Sequence, residues 1–112
     1  MSIVFRDVGG STAEAAGFIE LMKRTLEKSR VLHLVPVNVP GSMELQAPLS
    51  MVKDASGARV TVKYEVTPPD DMGGGGTRTY SVTCASTQLD RCADDIARRA
   101  ERVARESRFG IG

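Results

Sequence analysis

Between Ala58 and Thr67 every second residue is apolar: Ala58, Val60, Val62, Tyr64 and Val66 alternate with Arg59, Thr61, Lys63, Glu65 and Thr67. A period of two puts successive side chains on opposite faces of a strand, so the segment predicts a strand with one buried and one wet face. Such a strand cannot stand alone. Other segments must extend the sheet sideways and cover its apolar face. On one flank Met43, Leu45, Ala47, Leu49 and Met51 alternate with Glu44, Gln46, Pro48 and Ser50; on the other Tyr80, Val82 and Cys84 alternate with Thr79, Ser81 and Thr83. Asp54-Ala55-Ser56-Gly57 supplies turn residues between the first two strands. Pro68 to Gly76 carries two prolines, two aspartates and four consecutive glycines, which predicts a flexible hairpin loop joining antiparallel neighbours.

Two further segments are weaker. Val31 to Val39 is rich in β-branched residues, but Pro36 and Pro40 remove ladder donors, so an edge strand or a bulged one is expected. Pro48 likewise argues against pairing on both sides at that point. Residues 2 to 8 alternate loosely and read as a short strand ended by Gly9 and Gly10.

The cover for the sheet comes from two amphipathic segments. Ser11 and Glu14 have the spacing of a capping box, and Ala15, Phe18, Ile19, Met22 and Leu26, with a trailing Ser29, follow at three and four. This predicts a helix of about 17 residues, weakened by Gly17. Thr87 and Asp90 repeat the capping spacing before Leu89, Cys92, Ala93, Ile96, Ala97, Ala100, Val103 and Ala104. That stripe is mostly alanine, so this second helix should lie close against what it covers. Residues 109–112 read as a frayed end. The expected fold is an α+β two-layer sandwich in one domain, 1–112: a helix, an antiparallel meander of about four strands and a C-terminal helix, both helices on one sheet face.

A helix followed by four antiparallel strands resembles the cystatin-like arrangement in topology. The inhibitory Gln-x-Val-x-Gly motif of cystatins is absent, and no function is carried over. The order of helix, strands and final helix is also similar to that of double-stranded-RNA-binding domains. Those carry a lysine cluster at the start of the last helix, where this chain has Gln88, Asp90 and Arg91, which argues against RNA.

Cys84 and Cys92 both fall on the inward side of their own element, one at the end of a strand and the other in the second turn of the helix that follows. They should meet in the layer between sheet and helix. In a chain of 112 residues, folding hides roughly 65% of the unfolded surface, so no cross-link is required. The simplest expectation is a pair of reduced cysteines packed as small hydrophobes in a cytoplasmic protein. The alternative is a disulfide in an exported one. The start, Met-Ser-Ile-Val-Phe-Arg-Asp, lacks a basic n-region and an apolar h-region and so reads as carrying no export signal, although a mature secreted chain given an added methionine would look the same.

The chemistry on offer is sparse. His33 is the only histidine, so a zinc site would need both cysteines and an acid to converge on it. Gly9-Gly10-Ser11-Thr12 lacks the Lys-Ser/Thr ending of a phosphate loop, and the glycine run 73–76 lacks a following lysine and helix. Asp70-Asp71 and Asp94-Asp95 are adjacent pairs of a kind common on exposed surfaces. Over Gln88 to Arg108, six arginines face five acids, which reads as a solvated helix face. The net charge of +1 offers no field to steer nucleic acid, and no apolar run reaches a membrane span, so neither is an expected partner. No cofactor, metal or catalytic residue is expected.

What remains is a surface. Arg59, Thr61, Lys63, Glu65, Thr79, Ser81 and Thr83, joined by Glu44, Gln46 and Ser50, should form a flat polar sheet face. The functional expectation is a non-catalytic interaction or assembly module. It would use that face or an edge strand, with a protein partner or a second copy as a homodimer. The alternatives are a small-ligand binder or minor enzyme with a pocket between helices and sheet, and an exported disulfide-stabilised domain.

Overall fold

A computed structural model of the chain describes residues 2–7, 13–36, 41–68 and 76–109. Five strands and two helices follow in the order β1 (Ser2–Asp7), α1 (Ala13–Glu27), β2 (His33–Val35), β3 (Met43–Lys53), β4 (Arg59–Thr67), β5 (Arg78–Ala85) and α2 (Leu89–Phe109). The strands form one sheet in the order β2-β1-β3-β4-β5.

The α+β class is as expected, but the sheet is mixed rather than an antiparallel meander of about four strands. Only β3, β4 and β5 form a meander. The N-terminal segment inserts between β2 and β3 and runs parallel to both. The reason lies in the connection: α1 carries the chain back along the sheet, so β2 starts in the same direction as β1. β1 is parallel to both neighbours, and such strands commonly read as continuous apolar runs, as Ile3-Val4-Phe5 does. Ile3 and Val4 are both buried although they point to opposite faces. This also explains why the alternation of residues 2–8 is loose. The cystatin-like order of helix and four antiparallel strands is therefore not the topology found.

Both helices lie on one face and share its core. From α1 come Phe18, Met22 and Leu26; from α2, Cys92, Ala93, Ile96, Ala97, Ala100, Val103 and Ala104; from the sheet, Ile3, Met43, Leu45, Val60, Val62, Tyr64 and Val66. The alanines of α2 let its backbone approach the strands, and Phe18, with no exposed surface, fills the space beneath α1. Ser29 ends α1 as its position suggested: its Oγ accepts from the backbone N–H groups of Val31 (3.2 Å) and Leu32 (3.0 Å). Ser11, the expected cap, lies outside the described residues.

Pro48 behaves as its chemistry requires. β1 pairs with β3 only as far as Ala47, and the β3·β4 ladder lapses between Gln46 and Ser50, where three residues of β3 stand against one of β4. Two extra residues preserve parity, so Met51 returns to the face of Leu45. β2 is an edge strand, as the prolines around it predict. Residues 37–40 lie outside the described residues, as do 69–75 of the flexible loop expected over 68–76 and 110–112 of the frayed end expected over 109–112, whose first residue, Phe109, is the last of α2.

The β3–β4 turn is organised by Asp54. Its Oδ1 accepts from Ser56 Oγ at 2.8 Å and from the Ala58 N–H at 3.2 Å, while Gly57 adopts a φ of 73°, a conformation that glycine enters without steric cost. The Ser56 hydroxyl, followed by backbone donors, holds the Asp54 carboxyl below its ordinary value of 3.8. A depressed carboxyl pKa contributes order above the unfolded value and loses it as pH falls through the lower folded value. Amide exchange at Gly57 and Ala58, corrected for its intrinsic pH dependence, should therefore rise below pH 3.8. In an Asp54→Asn variant that pH-dependent step should vanish. An identical profile in both proteins would show that the carboxylate does not order the turn.

Candidate functional site

The cysteines are not free. Cys84, at the end of β5, and Cys92, in the second turn of α2, form a disulfide with a Cα–Cα distance of 5.7 Å. Reduced cysteines were the first expectation, and the local geometry explains the correction. Only Ser86, Thr87 and Gln88 separate β5 from α2, and the Gln88 N–H donates to the Ala85 carbonyl in a tight turn. The turn folds the start of α2 back over the strand, which brings two inward-facing side chains eight positions apart within bonding reach.

Further along the same two strands, Tyr64 and Tyr80 are cross-strand partners whose rings stack with centroids 5.6 Å apart. The Arg99 guanidinium of α2 lies over the Tyr80 ring at 4.9 Å from its centroid. Burial pushes the Tyr64 hydroxyl above its ordinary range, and the neighbouring Arg99 offsets part of that rise.

The polar residues predicted to share a face do so. Arg59, Thr61, Lys63 and Glu65 of β4 stand opposite Ala85, Thr83, Ser81 and Thr79 of β5, on the side away from the helices. The hydroxyls of Thr61 and Thr83 are 2.9 Å apart, a cross-strand hydrogen bond. Glu44 and Gln46 continue the face on β3, where Glu44 accepts from Gln46 at 2.9 Å and pairs with Arg6 at 2.6 Å. Val52 shares the face at the far end of β3 and is 62% exposed.

The remaining candidates do not assemble into a reaction centre. His33 is exposed on the edge strand β2, and among the described residues no group of histidine, cysteine, aspartate and glutamate could hold a metal ion. Asp94 and Asp95 are exposed on α2. Gly9 to Thr12 and Asp70-Asp71 fall outside the described residues. At the centre of the layer between helices and sheet, where a ligand pocket is the alternative expectation, the facing side chains are buried against one another. At its margin a cleft of about 390 Å³ opens between α1 and the strands β1 and β2, lined by Phe5, Lys23, Leu34, Val35 and Pro36. Two more clefts are lined by α2. One of about 500 Å³ runs between the end of α1 and α2, with Lys28, Arg30, Arg98 and Arg105 facing Asp94 and Glu101. Another, of about 310 Å³, opens where α2 overhangs β5, between Ser81 and Val82 on one side and Arg98, Arg99 and Arg102 on the other. This second cleft is the feature sequence reasoning missed. Its signal was present in the spacing of Arg98, Arg99 and Arg102, but the balancing acids of α2 made the helix read as an ordinary solvated face.

No protein-family model matches the sequence, and no curated protein matches it. Among solved structures, a minor lipoprotein from Acinetobacter baumannii aligns over 90% of this chain and 92% of its own, with 14% identity and a TM-score of 0.45. A PelC dodecamer from Paraburkholderia phytofirmans aligns over 92% and 84%, with 13% identity and a TM-score of 0.48. The rare lipoprotein B from Shewanella oneidensis aligns over 97% and 95%, with 10% identity and a TM-score of 0.45. Similarity this distant assigns neither a family nor a function to the chain.

Proposed function

We propose that this chain is a disulfide-braced, non-catalytic interaction domain that works in an oxidising compartment outside the cytoplasm and binds a protein partner through its sheet. The observation that carries the reading is the Cys84–Cys92 link. Disulfides persist in exported proteins and are rare in the reducing cytosol, so the bond favours export over the cytoplasmic expectation. The interaction half rests on the sheet face that neither helix covers, where Thr61 bonds Thr83 across the strands, Lys63 and Glu65 stand opposite Ser81 and Thr79, and Val52 is exposed at the end. Among the described residues, no helix is long and apolar enough to cross a membrane.

The test is made on protein purified from its native host. Alkylation under denaturing, non-reducing conditions should add no label, and prior reduction should add two. Two labels without reductant would sink the compartment reading. For the interaction half, the wild-type chain and a Thr61→Arg, Thr83→Arg variant serve as paired baits in affinity capture and size analysis. A protein, or a second copy of this chain, retained by the first and lost from the second supports the sheet face. A metabolite that co-purifies with no protein would overturn the interaction half.

A further inference from the structure

The cleft under α2 meets a free strand edge. β5 is the last strand of the sheet, with β4 on one side only. The Ser86 N–H donates to the Ala58 carbonyl at 2.9 Å, which sets the phase of the β4·β5 ladder. In an antiparallel pair, hydrogen-bonded and non-bonded residues alternate. Cys84, Val82 and Tyr80 therefore direct their N–H and C=O groups to β4. Those of Thr83, Ser81 and Thr79 point outward, and among the described residues nothing pairs with them. The hydroxyl contact between Thr61 and Thr83 agrees, because side chains approach most closely at non-bonded pairs.

Directly above this edge the charge is one-sided. Arg98, Arg99 and Arg102 line the cleft against a single acid, Asp95, while Asp94 and Glu101 lie on the far side of Arg98, in the cleft toward α1. Arg98 and Arg102 are exposed and stand in no ion pair among the described residues. We propose that the free edge of β5 accepts an extended acidic segment of another protein as an added strand, with its helix-side carboxylates on Arg98 and Arg102. The proposal rests on the interaction reading above and names the surface and partner class within it.

Added strands bind through main-chain hydrogen bonds, and pockets for alternate side chains provide specificity. On the incoming strand, side chains two residues apart lie ~7 Å apart on one face. Arg98 and Arg102, four residues apart on α2, are separated by ~6 Å along its axis. An acid at every second position thus meets successive arginines, while the intervening side chains lie beside Thr79, Ser81 and Thr83. A second copy of this chain is disfavoured at this edge, because pairing β5 with β5 would bring two sets of the same arginines together.

The probe is an N-acetylated, C-amidated peptide, Thr-Glu-Val-Glu-Val-Glu-Thr, compared with its lysine counterpart and added to the full oxidised chain at low salt. The glutamate peptide should shift the amide NMR signals of Thr79, Ser81 and Thr83 and slow their exchange, and the lysine peptide should not. Affinity should fall at least tenfold in an Arg98→Glu, Arg102→Glu variant, which changes exposed groups only. Ser81→Pro, which removes an outward donor and leaves the β4 ladder intact, should abolish the amide protection. Unchanged affinity in the charge-reversed variant overturns the proposal, as does the absence of shifts along β5. Shifts confined to Thr61, Lys63 and Glu65 would also overturn it while leaving an interaction through the open face in place; the paired capture then decides that reading separately.

Discussion

A Phe18→Ala variant should lose about 3–5 kcal/mol of folding stability, seen as a lower denaturant midpoint at unchanged slope. Phe18 has no exposed surface and sits where α1 meets the sheet and α2, so truncation removes a ring from the centre of the core and leaves a void. The neighbours cannot close that void easily. Leu45 is held in register on both sides, by β1 and by β4, Met43 is held by β1, and the alanines of α2 have no side-chain length to reach inward. Against a total of about 5–15 kcal/mol for a domain of this size, the loss is large enough to populate the unfolded state at 37 °C. A loss below about 1 kcal/mol would mean that α1 is not packed on the sheet as described.

The second large effect concerns the disulfide. Replacing both Cys84 and Cys92 by alanine should cost about 2.5 kcal/mol on the chain-entropy model for a loop of this length, and lower Tm by roughly 10 °C. Reductant should lower the stability of the wild-type chain by a similar amount and leave the double variant unchanged. The comparison separates the cross-link from the packing of the two side chains, since alanine keeps a small apolar group at each site. Equal stability of oxidised and reduced wild-type protein would show that the bond braces nothing. That loss acts through the unfolded chain; in the folded one, without the bond, the first turns of α2 are held over β5 by packing alone, so amide protection should fall most between Leu89 and Ile96.

Much of the fold is legible along the chain because its periodicities are clean. The buried positions of α1 are the predicted Ala15, Phe18, Ile19, Met22 and Leu26, and in β4 Val60, Val62, Tyr64 and Val66 are buried while the residues between them are not. Tyr80 and Val82 face the helices as their parity requires but remain half-buried, because β5 is an edge strand. The order of strands is a different matter. Periodicity reports which way a side chain points relative to its own strand, and it says nothing about which strand lies beside it. The place of β1 between β2 and β3 depends on where α1 returns the chain, a non-local outcome that no window of sequence contains.

The candidate site divides in the same way. The amino-acid sequence by itself determined the polar face, since the alternation that buries Val62 obliges Thr61 and Lys63 to face the other side, and it brought Cys84 and Cys92 to the same layer. Only the tertiary structure decided that the two sulfurs bond, because that depends on how tightly the Ser86–Gln88 turn folds α2 back on β5. It alone placed Arg98, Arg99 and Arg102 over a strand edge whose outward N–H and C=O groups have no partner among the described residues. A helix carries its charges wherever it docks, and the meaning of those charges is set by the neighbour that docking provides.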